Sequence, residues 1–235
     1  MAVAVAELLS VYVSVLAGLL MHAVLAAALV TRYAAHPGRF PLPALALPSL
    51  LRVLSLTVPV PVLSMVVWPA MVGVPLIVAA MAVLRALSVG PAAVGLGRVK
   101  WLPQLLIGAS GVPLSLAVFL ASGVPSLGPP TTSAEILLVG LSSFAFVGFA
   151  EELVFRGVLQ GLLVPVIGRV AIILVSIVYG FMYAGTLSLD QAVTMGLIGA
   201  MFGYVADFTE SIWGTSLAHG LMVLGAVLLW PALLT

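Results

Sequence analysis

Inside a long apolar run stands the segment Phe149-Ala150-Glu151-Glu152-Leu153-Val154-Phe155-Arg156-Gly157. On a helix Glu152 and Arg156 are four residues apart, share a face and can pair. Glu151 points about 100° away around the axis, so Arg156 cannot serve both carboxylates equally. One carboxylate is then held by the arginine, and its neighbour is available for general acid–base work. Charge within a membrane span costs about 2.5–3.5 kcal/mol on insertion scales, which makes an ionisable group there a functional candidate. The plainer alternative is a charge cluster that anchors a helix end at the lipid headgroups.

Other chemistry is sparse. There are three histidines, His22, His36 and His219, and no cysteine. That removes thiolate metal sites, iron–sulfur clusters and a Cys nucleophile together. His219 lies in the last apolar stretch, where little else is polar. No His-Glu-x-x-His motif occurs, and a histidine-rich site would need His219 and His22 from opposite ends of the chain, so neither a metal nor a cofactor is expected. Asp190, Asp207 and Glu210 read as solvated helix-end charges.

The elements that must position these residues are membrane helices. Of 235 residues, 63% are hydrophobic and 6% charged, against about a quarter charged in a soluble domain. Eight basic against seven acidic residues leave no basic face for nucleic acid. The apolar runs are continuous rather than alternating, which excludes a transmembrane β-barrel and leaves helices as the way to satisfy the backbone in lipid. Spans are expected at about 8–30, 62–84, 103–122, 135–155, 170–187, 191–206 and 212–230. The stretch 44–61, with Arg52 and five prolines in or beside it (Pro41, Pro43, Pro48, Pro59, Pro61), reads as a broken or interfacial helix. The expected fold is an all-α polytopic bundle of seven to eight membrane-embedded helices.

Arg85, Arg98 and Lys100 before one span, and Arg156 and Arg169 after the next, mark one side as cytoplasmic. The loop from Gly123 to Ala134 between those spans has no basic residue, and Arg32 and Arg39 ask for the same cytoplasmic side. Composition changes near residue 130: fourteen of 16 prolines lie up to and including it and six of seven acids after it. One membrane domain is expected, with Pro-rich helices over 1–92 and a core over 93–235 that carries any chemistry. Gly148, Gly157, Gly161, Gly196, Gly199 and Gly203 have small-residue spacings suited to close helix packing. Trp68, Trp101, Trp213 and Trp230 fall near proposed span ends, where interfacial aromatics are expected.

The order of these features resembles the CPBP family, the CAAX-protease and bacteriocin-processing (Abi) intramembrane proteases, over about residues 93–235. Val94-Gly95-Leu96-Gly97-Arg98 resembles the entry to the family core, and Glu151-Glu152-x-x-x-Arg156-Gly157 agrees with its first motif. Ser176 through Tyr183 falls where an aromatic-x-x-x-His motif belongs. Gly196-Leu197-Ile198-Gly199 and Ser211 through His219 resemble the closing helices. The resemblance implies a glutamate base at Glu151, an orienting pair at Glu152 and Arg156, and an oxyanion donor at His219. Two positions depart from the pattern: Tyr183 replaces the second-motif histidine, and Val223 replaces a polar residue after the last one. Tyrosine donates a hydrogen bond but accepts protons poorly at neutral pH, and losing one oxyanion donor costs about 10²–10³ in rate.

Two functions stay open on the sequence. One is an endopeptidase that hydrolyses a peptide bond of a membrane-associated substrate. The other is a catalytically degenerate member that binds a membrane peptide or partner membrane protein. A proton- or cation-coupled transporter would use the same carboxylates, but the inverted repeats it predicts are not visible. Either way the expected setting is lipid, as a multi-pass protein of a bacterial cytoplasmic membrane.

Overall fold

The computed structural model describes residues 2–38, 40–58, 66–122, 132–184 and 189–234. Arg39, Pro59, Pro61, the beginning of the 62–84 span, the end of the 170–187 span and most of the Gly123–Ala134 loop lie outside them. Among the described residues nine helices form and no strand: α1 (Ala2–Tyr12), α2 (Val15–Ala35), α3 (Leu42–Thr57), α4 (Val67–Ala86), α5 (Trp101–Ala121), α6 (Ser133–Ile167), α7 (Val170–Ala184), α8 (Leu189–Thr209) and α9 (Trp213–Leu234). Six of them are long and apolar enough to cross a membrane, namely α2, α4, α5, α6, α8 and α9. The protein is a polytopic membrane helical bundle.

Local chemistry sets the boundaries. The stretch read as one span from 8 to 30 is two helices. The chain breaks at Val13, and the Ser14 hydroxyl accepts from the Ala17 backbone N–H at 3.1 Å to start α2. The proline-bearing stretch read as broken or interfacial is a single helix of 16 residues, α3, with Pro48 inside it. Its Ala44, Leu47, Pro48, Leu51 and Arg52 are buried, so tertiary packing holds a segment whose prolines argue against helix. Thr132 and Glu135 form a reciprocal capping box at the start of α6.

The span expected at 135–155 runs on to Ile167, so α6 has 35 residues. Arg156 is therefore buried within a helix and is not a loop charge marking the cytoplasmic face. Arg169, in the turn after α6, does face outward and pairs with Asp207 at 2.9 Å. The hydrogen-bonding of α6 widens to π geometry over Ser143–Gly148 and Leu153–Gln160, on both sides of Phe149–Glu152. Such π segments recur at functional sites.

The middle of α6 is the centre of the bundle. It packs against α3, α4, α7, α8 and α9, and Ala150, Leu153, Val154 and Phe155 are wholly buried there. Close approach to α9 depends on small residues. A Cβ at Gly148 would stand 2.5 Å from the Ser216 carbonyl oxygen and 2.7 Å from the Gly220 nitrogen. Gly95, with φ of +76°, turns the chain so that its carbonyl accepts from the Ile212 N–H at 3.2 Å, which ties the segment before α5 to the start of α9. Trp230 donates its indole N–H to the Ser115 hydroxyl at 2.6 Å and joins α9 to α5.

Gly148→Ala should lower the thermal midpoint and the monodisperse yield of detergent-extracted protein, since overpacking a helix contact costs about 1–3 kcal/mol. Gly140→Ala serves as the control on the same helix, because its Cβ would meet only Leu224 Cδ2 at 3.7 Å. Equal behaviour of the two variants would show that the α6–α9 spacing is not set by Gly148.

Candidate functional site

Three helices bring the sequence candidates into one hydrogen-bonded cluster. α6 supplies Glu151, Glu152 and Arg156, α7 supplies Tyr179 and Tyr183, and α9 supplies His219. Arg156 Nη1 donates to Glu152 Oε1 at 2.9 Å, the i,i+4 pair expected from the spacing. His219 Nδ1 approaches the same oxygen at 3.2 Å. Glu152 and His219 are fully buried and Arg156 nearly so. The Arg156 guanidinium also lies over the Tyr179 ring, 4.2 Å from its centroid. This cation–π contact offsets part of its desolvation.

Glu151 is held differently. The Tyr183 hydroxyl donates to Glu151 Oε2 at 3.1 Å, and His219 Nε2 stands 3.9 Å from that oxygen. Tyr179 connects the two ends: its hydroxyl is 3.2 Å from the Tyr183 hydroxyl and 3.4 Å from His219 Nε2. The hydrogens can all be placed in one direction. If both His219 nitrogens carry hydrogen, Nδ1–H donates to Glu152 and Nε2–H to the Tyr179 oxygen. Tyr179 then donates to Tyr183, and Tyr183 to Glu151.

Glu151, Glu152, Arg156, Tyr183 and His219 divide between a cavity wall and what lies behind it. A cavity of about 310 Å³ is lined by Glu151, Tyr179 and Tyr183 with Trp68, Phe146 and Phe155. Glu152 and His219 sit behind that wall with no exposed surface. Arg156 instead borders a second cavity of about 340 Å³ together with Gln160, Asp207 and Glu210. The Glu152–Arg156 pair thus separates two spaces. The helix turn that faces Glu152 inward to its partners leaves Glu151 on the open side. Val223, in α9 one turn beyond His219, is partly buried and its side chain offers no hydrogen bond.

Sequence reasoning passed over Tyr179, although the motif contains it four residues before Tyr183. It also passed over Glu7 and set aside His22, which meet Arg52 in a separate buried cluster. The signal for that cluster was Arg52 itself, a charge in an apolar stretch. Among the described residues no three His, Cys, Asp or Glu side chains come together in a way that could hold a metal ion.

Arg156→Ala should destabilise the protein far more than Glu151→Gln. Removing Arg156 leaves Glu152 buried with one partner fewer, and breaking a buried pair costs about 3–5 kcal/mol. Glu151→Gln keeps an acceptor for Tyr183. Thermal unfolding of both purified variants makes the comparison, and equal loss would mean that Glu151 is as structural as Arg156.

Residues 133–225 match the family model described as type II CAAX prenyl endopeptidase Rce1-like. No curated protein and no solved structure matches the chain. The matched stretch is the one that folds into α6 through most of α9 and carries Glu151, Glu152, Arg156, Tyr183 and His219. Over this stretch the chain is similar to the CAAX-protease-like family.

Proposed function

We propose that the protein is an intramembrane endopeptidase that hydrolyses a peptide bond of a membrane-associated peptide or protein, with Glu151 as the general base. The observation that carries this reading is the division of labour between two adjacent carboxylates. Glu152 is enclosed by Arg156 and His219, whereas Glu151 faces a cavity with a hydrogen-bond donor beside it. A base needs access to water and substrate, and a structural carboxylate needs neither.

In this reading a water in the cavity gives a proton to Glu151 as its oxygen attacks the scissile carbonyl carbon. The carbonyl oxygen becomes the oxyanion and takes a hydrogen bond from the Tyr183 hydroxyl, which lies on the same wall. Collapse of the tetrahedral species breaks the C–N bond, and Glu151 passes its proton to the leaving nitrogen. His219 is a positioning residue: it meets Glu152 through Nδ1 and Tyr179 through Nε2. Tyr183 thus stands in for the histidine of the family pattern as a donor, not as a base.

A second reading is favoured by the same Tyr183 contact. A tyrosine hydroxyl lodged on Glu151 at 3.1 Å, with Val223 supplying no donor, also describes an acidic pocket kept for binding. The full chain in lipid nanodiscs, offered a panel of fluorogenic membrane-associated peptides, distinguishes the two. Cleavage by the parent chain, abolished in Glu151→Gln and lowered about 10²–10³-fold in Tyr183→Phe, is the expected result. Cleavage that survives Glu151→Gln would sink the mechanism, and peptide capture without cleavage would establish the binding role.

A further inference from the structure

In the hydrolysis proposed above Tyr183 is a donor, and Tyr179 has no step of its own. Yet Tyr179 is 1% exposed, with its hydroxyl 3.2 Å from the Tyr183 hydroxyl and 3.4 Å from His219 Nε2. The two tyrosines are four residues apart on α7, so they share a face of that helix. The Tyr179 ring is fixed without its oxygen: the Arg156 guanidinium lies over it, and Phe155 and Tyr183 meet it edge-on. A phenylalanine would pack there as well, and a buried hydroxyl is costly unless it is hydrogen-bonded. The oxygen therefore calls for a role in the polar cluster.

A phenol has one hydrogen to give and can accept while it gives. Where the Tyr179 hydrogen points is set by its two neighbours. Glu152 Oε1, 3.2 Å from His219 Nδ1, keeps a hydrogen on that nitrogen. When His219 is an imidazolium, its second hydrogen is on Nε2 and points to the Tyr179 oxygen. Tyr179 then gives its own hydrogen to Tyr183, which accepts while it donates to Glu151 Oε2 at 3.1 Å. In a chain of hydrogen bonds, donation received strengthens donation given. When His219 is neutral, Nε2 is an acceptor, Tyr179 turns its hydrogen back to it, and Tyr183 loses that support. The change is a hydroxyl rotation, and no covalent bond of either tyrosine is made or broken. Among the described residues, the charged and titratable groups around His219 are Glu151, Glu152 and Arg156 from α6 and Tyr179 and Tyr183 from α7. α8 presents the Phe202 ring, and α5 carries no titratable side chain.

We propose that Tyr179 is a positioning residue that carries the protonation state of His219 to the Tyr183 donor, so that Tyr183 serves the oxyanion best while His219 holds both hydrogens. The inference rests on the proposed function for the oxyanion role of Tyr183. The link between the two side chains is testable without catalysis.

The full-length Glu151→Gln chain in lipid nanodiscs removes turnover and the titration of Glu151, and keeps an acceptor for Tyr183. Tyrosines labelled with carbon-13 at Cζ and histidines labelled at Cε1 are followed by NMR as pH rises, and single substitutions assign the signals. His219 should lose a hydrogen within about pH 5–8, and the Tyr183 signal should move at the same midpoint. In the double variant Glu151→Gln/Tyr179→Phe, which keeps the ring beneath Arg156, His219 should still titrate and the Tyr183 movement should vanish. The Tyr33 signal, whose hydroxyl meets the Ala86 carbonyl between α2 and α4, checks the fold. Three results would overturn the proposal: a Tyr183 signal that does not follow His219, one that follows it without the Tyr179 hydroxyl, or a His219 that does not titrate in that range. With the parent chain and a cleaved peptide, kcat should fall as pH rises through the His219 midpoint. Tyr179→Phe should lower kcat about five- to tenfold below that midpoint, the loss of one hydrogen bond, with KM unchanged and the fall with pH gone. A fall that survives Tyr179→Phe also overturns the proposal. If the two signals move together but the parent chain cuts no peptide, the endopeptidase reading fails and the link between His219 and Tyr183 stands.

Discussion

A carboxylate taken out of water in the middle of a membrane helix must be met by opposite charge, and Glu152 is met from two sides. Arg156 reaches it along its own helix, and His219 reaches it from α9. The first contact follows from spacing alone. The second requires α6 and α9 to lie almost backbone to backbone, which is why Gly148 stands against Ser216 and Gly220. Small residues, close helices and a satisfied buried charge form one requirement. Once Glu152 is satisfied, its neighbour is left facing the cavity.

The aromatic residues of α7 extend the same arrangement. Tyr179 is both the surface on which the Arg156 guanidinium rests and the hydroxyl between His219 and Tyr183. A single side chain therefore touches the structural pair and the candidate reactive carboxylate's donor. In low dielectric such a linked set is stiffer than its members taken separately. Among the described residues the hydrogen-bonded cluster is accordingly a property of three helices.

The reading of the sequence was strongest where period and charge coincide. Glu152 with Arg156 followed from a four-residue interval, and the bundle from a chain with too few charges to face water. The extent of α6 was not legible, because Arg156 looked like a loop charge until Glu152, Tyr179 and His219 were seen around it. Of the two readings of α3, broken or interfacial helix, the break does not occur within Leu42–Thr57: its prolines argue locally for one, and the packing that overrules them comes from other segments. Glu7 gave no local signal at all. Its partners lie 15 and 45 positions away, at His22 and Arg52, and no helical period relates residues at such separations. That Glu152 and His219 would be shut away from the cavity also depends on packing depth, which spacing does not encode.

The length of α6 bears on how the protein sits in its bilayer. At about 1.5 Å per residue, its 35 residues extend roughly 50 Å. Hydrocarbon is only about 30 Å thick, and tilts rarely exceed about 40°. Tilt alone cannot absorb the difference, so at least one end of the helix stands clear of the acyl chains. Glu151 lies near the midpoint of the helix, some 25 Å from either end by the same rise. Because α6 is packed against five other helices, the depth of the Glu151 carboxylate is set by where the whole bundle settles in the bilayer. Bilayer thickness, through hydrophobic mismatch, thereby becomes a variable that sets the depth at which Glu151 meets whatever enters its cavity.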